Sequence, residues 1–275
     1  MSMGSMLPPV SADEAVRSLV HAGVQSYAAG FSARHEGERH NPEGTLNMKI
    51  HNVFIAALGV EIQYYTALVR SLDSSLGNML EKLAINIAKL YYDVERNVQG
   101  PLSPEQTIQI AELLEQYKSR TRRPGVGDYL PLRESRPEHV VLVKRHDSDY
   151  YLTDRETGHR YLIELKIGGD LDNKKARSEK EAILEQYAIL SNVLPKETPI
   201  SIYFATAYNR FGEGKPWLQE RVRQFFAPEE LLIGRDFWNL VCKSEGGYDI
   251  VLKAYRESAH HITEALDSIK LLYLS

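Results

Sequence analysis

The chain has 275 residues, 43% hydrophobic and 25% charged, the balance of an ordinary soluble globule rather than of a disordered, collagen-like or coiled-coil chain. Its 33 Lys and Arg against 37 Asp and Glu leave a net charge of −4, so a polyanion partner has to be met by a local patch rather than by the whole surface. The single cysteine, Cys242, allows neither an internal disulfide nor a thiolate cluster, which fits a reducing cytoplasm and argues against structural zinc. Charge-free runs such as His51 to Val60 fall short of the roughly 20 residues a bilayer needs, and no basic start with an apolar core opens the chain, so neither a membrane span nor an export signal is expected.

In chain order, residues 1–10 read as a flexible start and residues 11–275 as a single domain. From Ser11 to about Tyr117 the pattern is helical, with a polar gap between Arg34 and Asn47. Leu76, Leu80, Leu83, Ile87 and Leu90 recur at three- and four-residue steps and predict one buried helical stripe. Ser103, followed by Pro104 and by Gln106, is a capping-box start for a helix running to about Tyr117. Residues 11–117 therefore form a helical layer. Between 118 and 145 the texture changes: eight basic residues, among them Arg122, Arg123 and Lys144, stand against three acidic ones, a local charge of +5. A solvated linker and an anion-facing segment both remain open for it.

Short β-type runs follow at His139 to Val143, Asp149 to Thr153, Arg160 to Ile167 and Ile200 to Thr206, with a helical segment from Lys174 to Leu194 before the last. This β-β-β-α-β order predicts a mixed sheet with a crossover helix, spanning residues 118–206. Residues 207–275 return to a helical extension, broken at Gly246-Gly247.

The stretch from Asp149 to Lys166 carries the chemistry. If Arg155 to Gly158 form the loop of a hairpin, with glycine supplying the positive φ such a loop needs, Asp154 faces His159 and Asp149 stands opposite Glu164. Alternation then puts Asp149, Glu164 and Lys166 on one face and Tyr161, Ile163, Leu165 and Ile167 on the other. Two close carboxylates repel unless something positive lies between them, and a hard cation such as Mg²⁺ is the usual solution. A lysine two residues from one of them can hold an attacking water and balance charge developing on a phosphate. A plain surface ion pair on an edge strand is the competing reading. The apolar residues around Glu164 argue instead for a central strand, where two charges need a reason.

Asp149 followed by Glu164-Leu165-Lys166 resembles the PD-(D/E)xK nuclease signature, with Ser148 where proline often stands. Ser71 to Gly77 with Glu81, Thr121-Arg-Arg-Pro124, the hairpin, Ala207-Tyr208-Asn209, and Asp236 to Asn239 followed by Glu245 to Tyr248 together resemble the TdeIII-type family of type II restriction endonucleases, from about Arg70 to the C-terminus. The resemblance implies an α/β fold with a PD-(D/E)xK restriction-endonuclease-like mixed sheet flanked by helices. It also implies a prokaryotic, cytoplasmic, Mg²⁺-dependent homodimer that cuts double-stranded DNA at a short palindromic site, GGNCC-like in some members, beside a cognate DNA methyltransferase. On this reading Asp149 and Glu164 ligate the metal with the Leu165 carbonyl, Lys166 orients water, and Glu81 assists from its helix, where an ordinary exposed glutamate is the alternative.

After Lys166, Gly168 and Gly169 allow a tight turn, and Asp172 is a good N-cap. Lys174, Lys175 and Arg177 then load a helix start with positive charge against the macrodipole, which suits a DNA phosphate, though a solvated face is also open. Asn209 and Arg210, after the last strand, offer donors suited to base edges. Gln186 is a candidate for supporting the site from the crossover helix, with core packing of Tyr187 the competing reading. Gly212-Glu-Gly-Lys215 lacks the spacing of a phosphate loop, His146 has no histidine cluster to join, and Cys242 reads as a buried small side chain. Two other functions stay open: a structure-specific repair or recombination nuclease of the same fold, and a DNA-binding protein without chemistry.

Overall fold

A computed structural model describes residues 11–135 and 143–274, with the side chains of Ile50 and Asp149 outside that description. In chain order the elements are α1 (Ala12–Gly37), α2 (Val53–Ala56), α3 (Val60–Ala88), β1 (Tyr92–Pro101), α4 (Pro104–Lys118), α5 (Pro131–Glu134) and β2 (Val143–Asp154). They continue with β3 (Arg160–Leu165), α6 (Asn173–Val193), β4 (Ile200–Thr206), α7 (Glu220–Arg223), β5 (Leu231–Ile233), α8 (Arg235–Val241) and α9 (Gly247–Leu274). The chain divides into two compact units. One takes in the chain up to Asn86 together with the stretch from Asp249 on, and the other is Ile87–Tyr248.

The first unit is helical. α1 starts where Ser11 accepts the Glu14 N–H at 3.2 Å, with Asp13 and Glu14 in its first turn beside the positive end of the helix dipole. Phe31, Tyr64, Ala67, Leu68 and Ile269 form a core between α1, α3 and α9. Leu83 and Ile87 of the expected stripe are buried, but Leu90 is exposed beyond the end of α3.

The second unit holds a five-stranded sheet in the order β1-β2-β3-β4-β5. β1, β2 and β3 pair antiparallel, while β3–β4 and β4–β5 are parallel, the crossover being made by α6. The sheet is thus mixed and flanked by helices, as expected. α6 packs on one face, where Leu162, Ile202, Phe204, Ile183, Leu184 and Tyr187 share a core. Its close approach to β1 depends on Gly100, since a Cβ there would come within 2.8 Å of Ile189. The other face carries Tyr150, whose ring meets Phe237 of α8 edge-on at 5.9 Å.

Two sequence expectations need correction. The stretch from Ser11 to Tyr117 is not helical throughout: β1 interrupts it, because Tyr92, Val94, Val98 and Gly100 sit between charged residues that mask their alternation. The extension after Ala227 is likewise not all helix, since β5 adds an edge strand there. Of the strand expected at His139 to Val143, residues 139–142 lie outside the described residues and Val143 opens β2. No helix among the described residues is long and apolar enough to cross a membrane.

Candidate active site

The hairpin forms as its sequence suggests, and its tip is held by charge. Asp154 N–H donates to the His159 carbonyl and Gly158 N–H to the Asp154 carbonyl, both at 2.9 Å. Gly158 sits at φ 71°, a conformation glycine adopts without steric cost. The Asp154 carboxylate accepts the amides of Glu156 at 2.8 Å and Thr157 at 2.9 Å, and the Lys243 ammonium lies 3.0 Å from its other oxygen. Burial pushes this carboxyl up, but those amides and the ammonium outweigh it and hold the pKa at about 2.

The tip sets the register. Pairing runs from Thr153↔Arg160 to Tyr150↔Ile163, which is the register expected, as far as the residue next to Asp149. The Asp149 side chain itself lies outside the described residues. The β1–β2 ladder is irregular between Glu95 and Asn97. Before the irregularity Lys144 and His146 look toward α6, and after it Tyr151 does. Such an irregularity beside a site re-aims side chains along one strand.

Glu164 and Lys166 come together. The Lys166 ammonium donates to Glu164 Oε1 and lies 3.3 Å from Oε1 of Glu179 on α6. Side-chain exposure is 13% for Glu164 and 32% for Lys166. The edge-strand reading does not hold, because β3 is the middle strand of five. Charges on a central strand are expensive unless paired, and here one ammonium stands between two carboxylates.

Sequence reasoning missed Glu179. Its spacing of one turn from the apolar Ile183 puts it toward the inward side of α6, but spacing does not say that it meets Lys166. The same helix makes two more ionic contacts. Glu185 lies 2.7 Å from His146 and 2.8 Å from Lys144, and the hydrogen bonds from the His146 ring and the Lys144 ammonium hold its carboxyl below the usual range against burial. Lys180, wholly buried, donates to both oxygens of Glu230 at 2.6 and 2.7 Å under the rings of Tyr129 and Phe226. Gln186 is buried as well, with its Oε1 unpartnered.

The paired residues stand at the carboxyl end of two parallel strands, where open α/β sheets take their ligands. Lys166 N–H donates to the Ala205 carbonyl at 2.9 Å and Ala207 N–H to that of Ile167 at 3.1 Å. The loop after Lys166 needs glycine at 169, while at 168 a side chain would have to displace the Tyr208 hydroxyl. A Cβ at Gly168 would lie 2.8 Å from the Tyr208 hydroxyl, and one at Gly169, where φ is 64°, would lie 2.8 Å from Thr206.

Asp172 caps α6 by accepting the Lys175 N–H at 2.8 Å, leaving Lys174 and Lys175 exposed on the first turn. Arg177 is half-buried and 3.4 Å from Glu181. Arg210 pairs with Asp170 at 2.9 Å, tying the loop after β4 to the one after β3. The Asn209 side chain shapes its own loop, donating to the Lys215 carbonyl at 2.7 Å and accepting the Phe211 N–H at 3.0 Å. Glu81 is half-buried on α3, in the helical unit. Cys242 is buried, as expected. Among the described residues no three His, Cys, Asp or Glu side chains gather as a metal cluster.

A family model described as type II restriction endonuclease, HinfI, matches residues 23–259. No curated protein and no solved structure matches the chain.

Proposed function

We propose that this chain, which belongs to the HinfI family of type II restriction endonucleases, hydrolyses phosphodiester bonds in double-stranded DNA at a short palindromic site with the help of Mg²⁺. The observation that carries this reading is the meeting of Glu164 and Lys166 on the middle strand, at the carboxyl end of the parallel pair β3–β4. A carboxylate and an ammonium at that end of a sheet are the groups a hydrolytic phosphate site uses.

A hard divalent cation fits the donors. They are oxygens only, and the fold already balances Glu164 and Glu179 with one positive charge. Asp149 and Glu164, with the Leu165 carbonyl, would hold Mg²⁺, which supplies Lewis-acid activation of phosphate and water when bound. Lys166 orients the attacking water and balances the negative charge that grows on the phosphate. Glu179 positions the Lys166 ammonium. Lys174 and Lys175 meet backbone phosphates, and Arg177, Asn209 and Arg210 are the further DNA contacts of this reading. Glu81 enters it through the motif resemblance alone.

The resemblance of the ordered motifs to TdeIII-type enzymes makes a GGNCC-like palindrome the first site to try, with a homodimer as the acting species and a cognate methyltransferase as functional partner. The test is digestion of a supercoiled plasmid, unmethylated at candidate sites, in Mg²⁺ with Glu164→Ala alongside. Discrete bands from the wild type and none from the variant are expected. A smear would point to a nuclease indifferent to sequence, and intact plasmid from the wild type at every Mg²⁺ concentration would sink the reading.

A further inference from the structure

Of the eighteen large apolar side chains left exposed among the described residues, eight fall between positions 48 and 69 of the helical unit. Phe54 on α2 is 84% exposed, Leu58 is exposed in the turn before α3, and on α3 Ile62, Tyr65 and Val69 recur at steps of three and four, which places those three on one helical stripe. The opposite side of the same turns is already buried, through Tyr64, Ala67 and Leu68. The first turns of α3 are therefore apolar on two sides, and a helix that is apolar all round belongs in an interior. This stretch also begins in the longest charge-free runs of the sequence, with Glu61 the one ionisable acid or base between 53 and 69 apart from its tyrosines. An apolar face of this extent marks an association surface rather than ordinary exposure.

The geometry points to a second copy of this chain as what covers it. DNA is excluded as the occupant, because an apolar face with only Lys49 and Glu61 as charged residues, of opposite sign, offers little to a phosphate backbone. The exposed fractions of the eight side chains amount to roughly 800 Å², which is about what one partner contributes to a standard dimer interface. Two copies related by a two-fold axis bring the same patch against itself, and a face almost without charge meets its copy without like-charge repulsion. The choice of a copy over another protein also rests on the proposed function: a duplex has two strands, and each chain carries one Glu164–Lys166 pair.

The full chain, without DNA or metal, is taken through a concentration series by sedimentation or by light scattering after size exclusion. The wild type should show twice the chain mass at micromolar concentration. Phe54→Glu and Ile62→Glu should each raise the concentration for half-dimerisation at least a hundredfold, with helix content by circular dichroism unchanged. Ile108→Glu, which alters an apolar residue of α4 whose exposure lies between those of Phe54 and Ile62, should leave it alone. If a glutamate variant loses helix content, hydrogen exchange of wild-type amides 53–69 decides instead: protection should fall on dilution to the monomer. A wild type that stays monomeric throughout, or that still dimerises with either charge in place, overturns the proposal. Plasmid cleavage separates the two readings. A dimer held by this face that leaves DNA intact removes the nuclease reading and keeps the interface, whereas discrete cleavage by a chain paired elsewhere does the reverse.

Discussion

Lys166 has two carboxylates within reach, and that divides its role from that of the other lysines near it. A lysine that only neutralises a phosphate, such as the exposed Lys174, acts on affinity, and its loss should weaken binding across sequences and lower the salt slope by roughly 1. Lys166 is held in place by Glu164 and Glu179 and is expected to act when charge develops in the transition state. Lys166→Ala should lower single-turnover cleavage by about 10²-fold or more with little change in equilibrium affinity. Lys166→Arg should not restore it, because a planar fork does not replace a compact ammonium between two carboxylates. Equal affinity losses for Lys166→Ala and Lys174→Ala, with cleavage rates unchanged, would move Lys166 onto the DNA backbone. Glu179→Gln tests the positioning role. It keeps the shape but removes one of the two charges holding the ammonium, so the single-turnover rate should fall by roughly tenfold, about 1.4 kcal/mol, with the Kd for DNA unchanged. A wild-type rate in that variant would reduce Glu179 to a bystander.

At the level of elements, the β2–β3 hairpin carries the site, and its register depends on the cap at Asp154. Removing a charged acceptor that serves two amides and an ammonium costs about 1.5–3 kcal/mol, so Asp154→Ala should be destabilised by that amount in urea unfolding at neutral pH. The folded pKa of about 2 lies below the unfolded value. The contribution is therefore present above about pH 4 and is lost as pH falls through about 2. The gap between variant and wild type should close over that acid range, and a gap constant down to pH 2 would show that the charge of Asp154 does not stabilise the tip. This hairpin was legible in the sequence because its signals are local: Gly158, the flanking β-branched and aromatic residues, and a register that follows from loop length. The capping box at Ser103 and the crossover helix α6 were legible for the same reason, and α4 starts at Pro104 as the box predicts, with both reciprocal bonds made. β1 was hidden by Asp93, Glu95 and Arg96 between its inward residues, and β5 is only three residues long. Glu179 could not be placed beside Lys166 from spacing alone, since their meeting depends on where α6 crosses the sheet. Periodicity within α1, α3 and α9 describes each helix but not its partners, so the grouping of these helices in a unit of their own was not legible either.

For the whole molecule, the net charge of −4 opposes DNA at a distance, and the proposed site adds carboxylates at the place where a phosphate must come closest. Binding then depends on a cation as well as on the basic residues at the start of α6. Without divalent metal, Glu164 and the carboxylates near it should repel the scissile phosphate. With Ca²⁺, which fills oxygen sites but with looser geometry than Mg²⁺, that repulsion should vanish while turnover does not begin. The wild type is therefore expected to bind its site at least about tenfold more tightly in Ca²⁺ than in chelator, a difference of about 1.4 kcal/mol, and to cut only when Mg²⁺ replaces Ca²⁺. Glu164→Ala gives the sign that a merely structural role for metal would not give. Losing one carboxylate should tighten binding in chelator relative to the wild type and shrink the effect of Ca²⁺, although cleavage is abolished. The comparison needs fixed ionic strength, because Ca²⁺ also competes as a counterion for the DNA and by itself weakens binding. If wild type and Glu164→Ala bind with one affinity in chelator, and Ca²⁺ changes both alike, the metal does not stand between Glu164 and the phosphate, and the carboxylate has to be given another task.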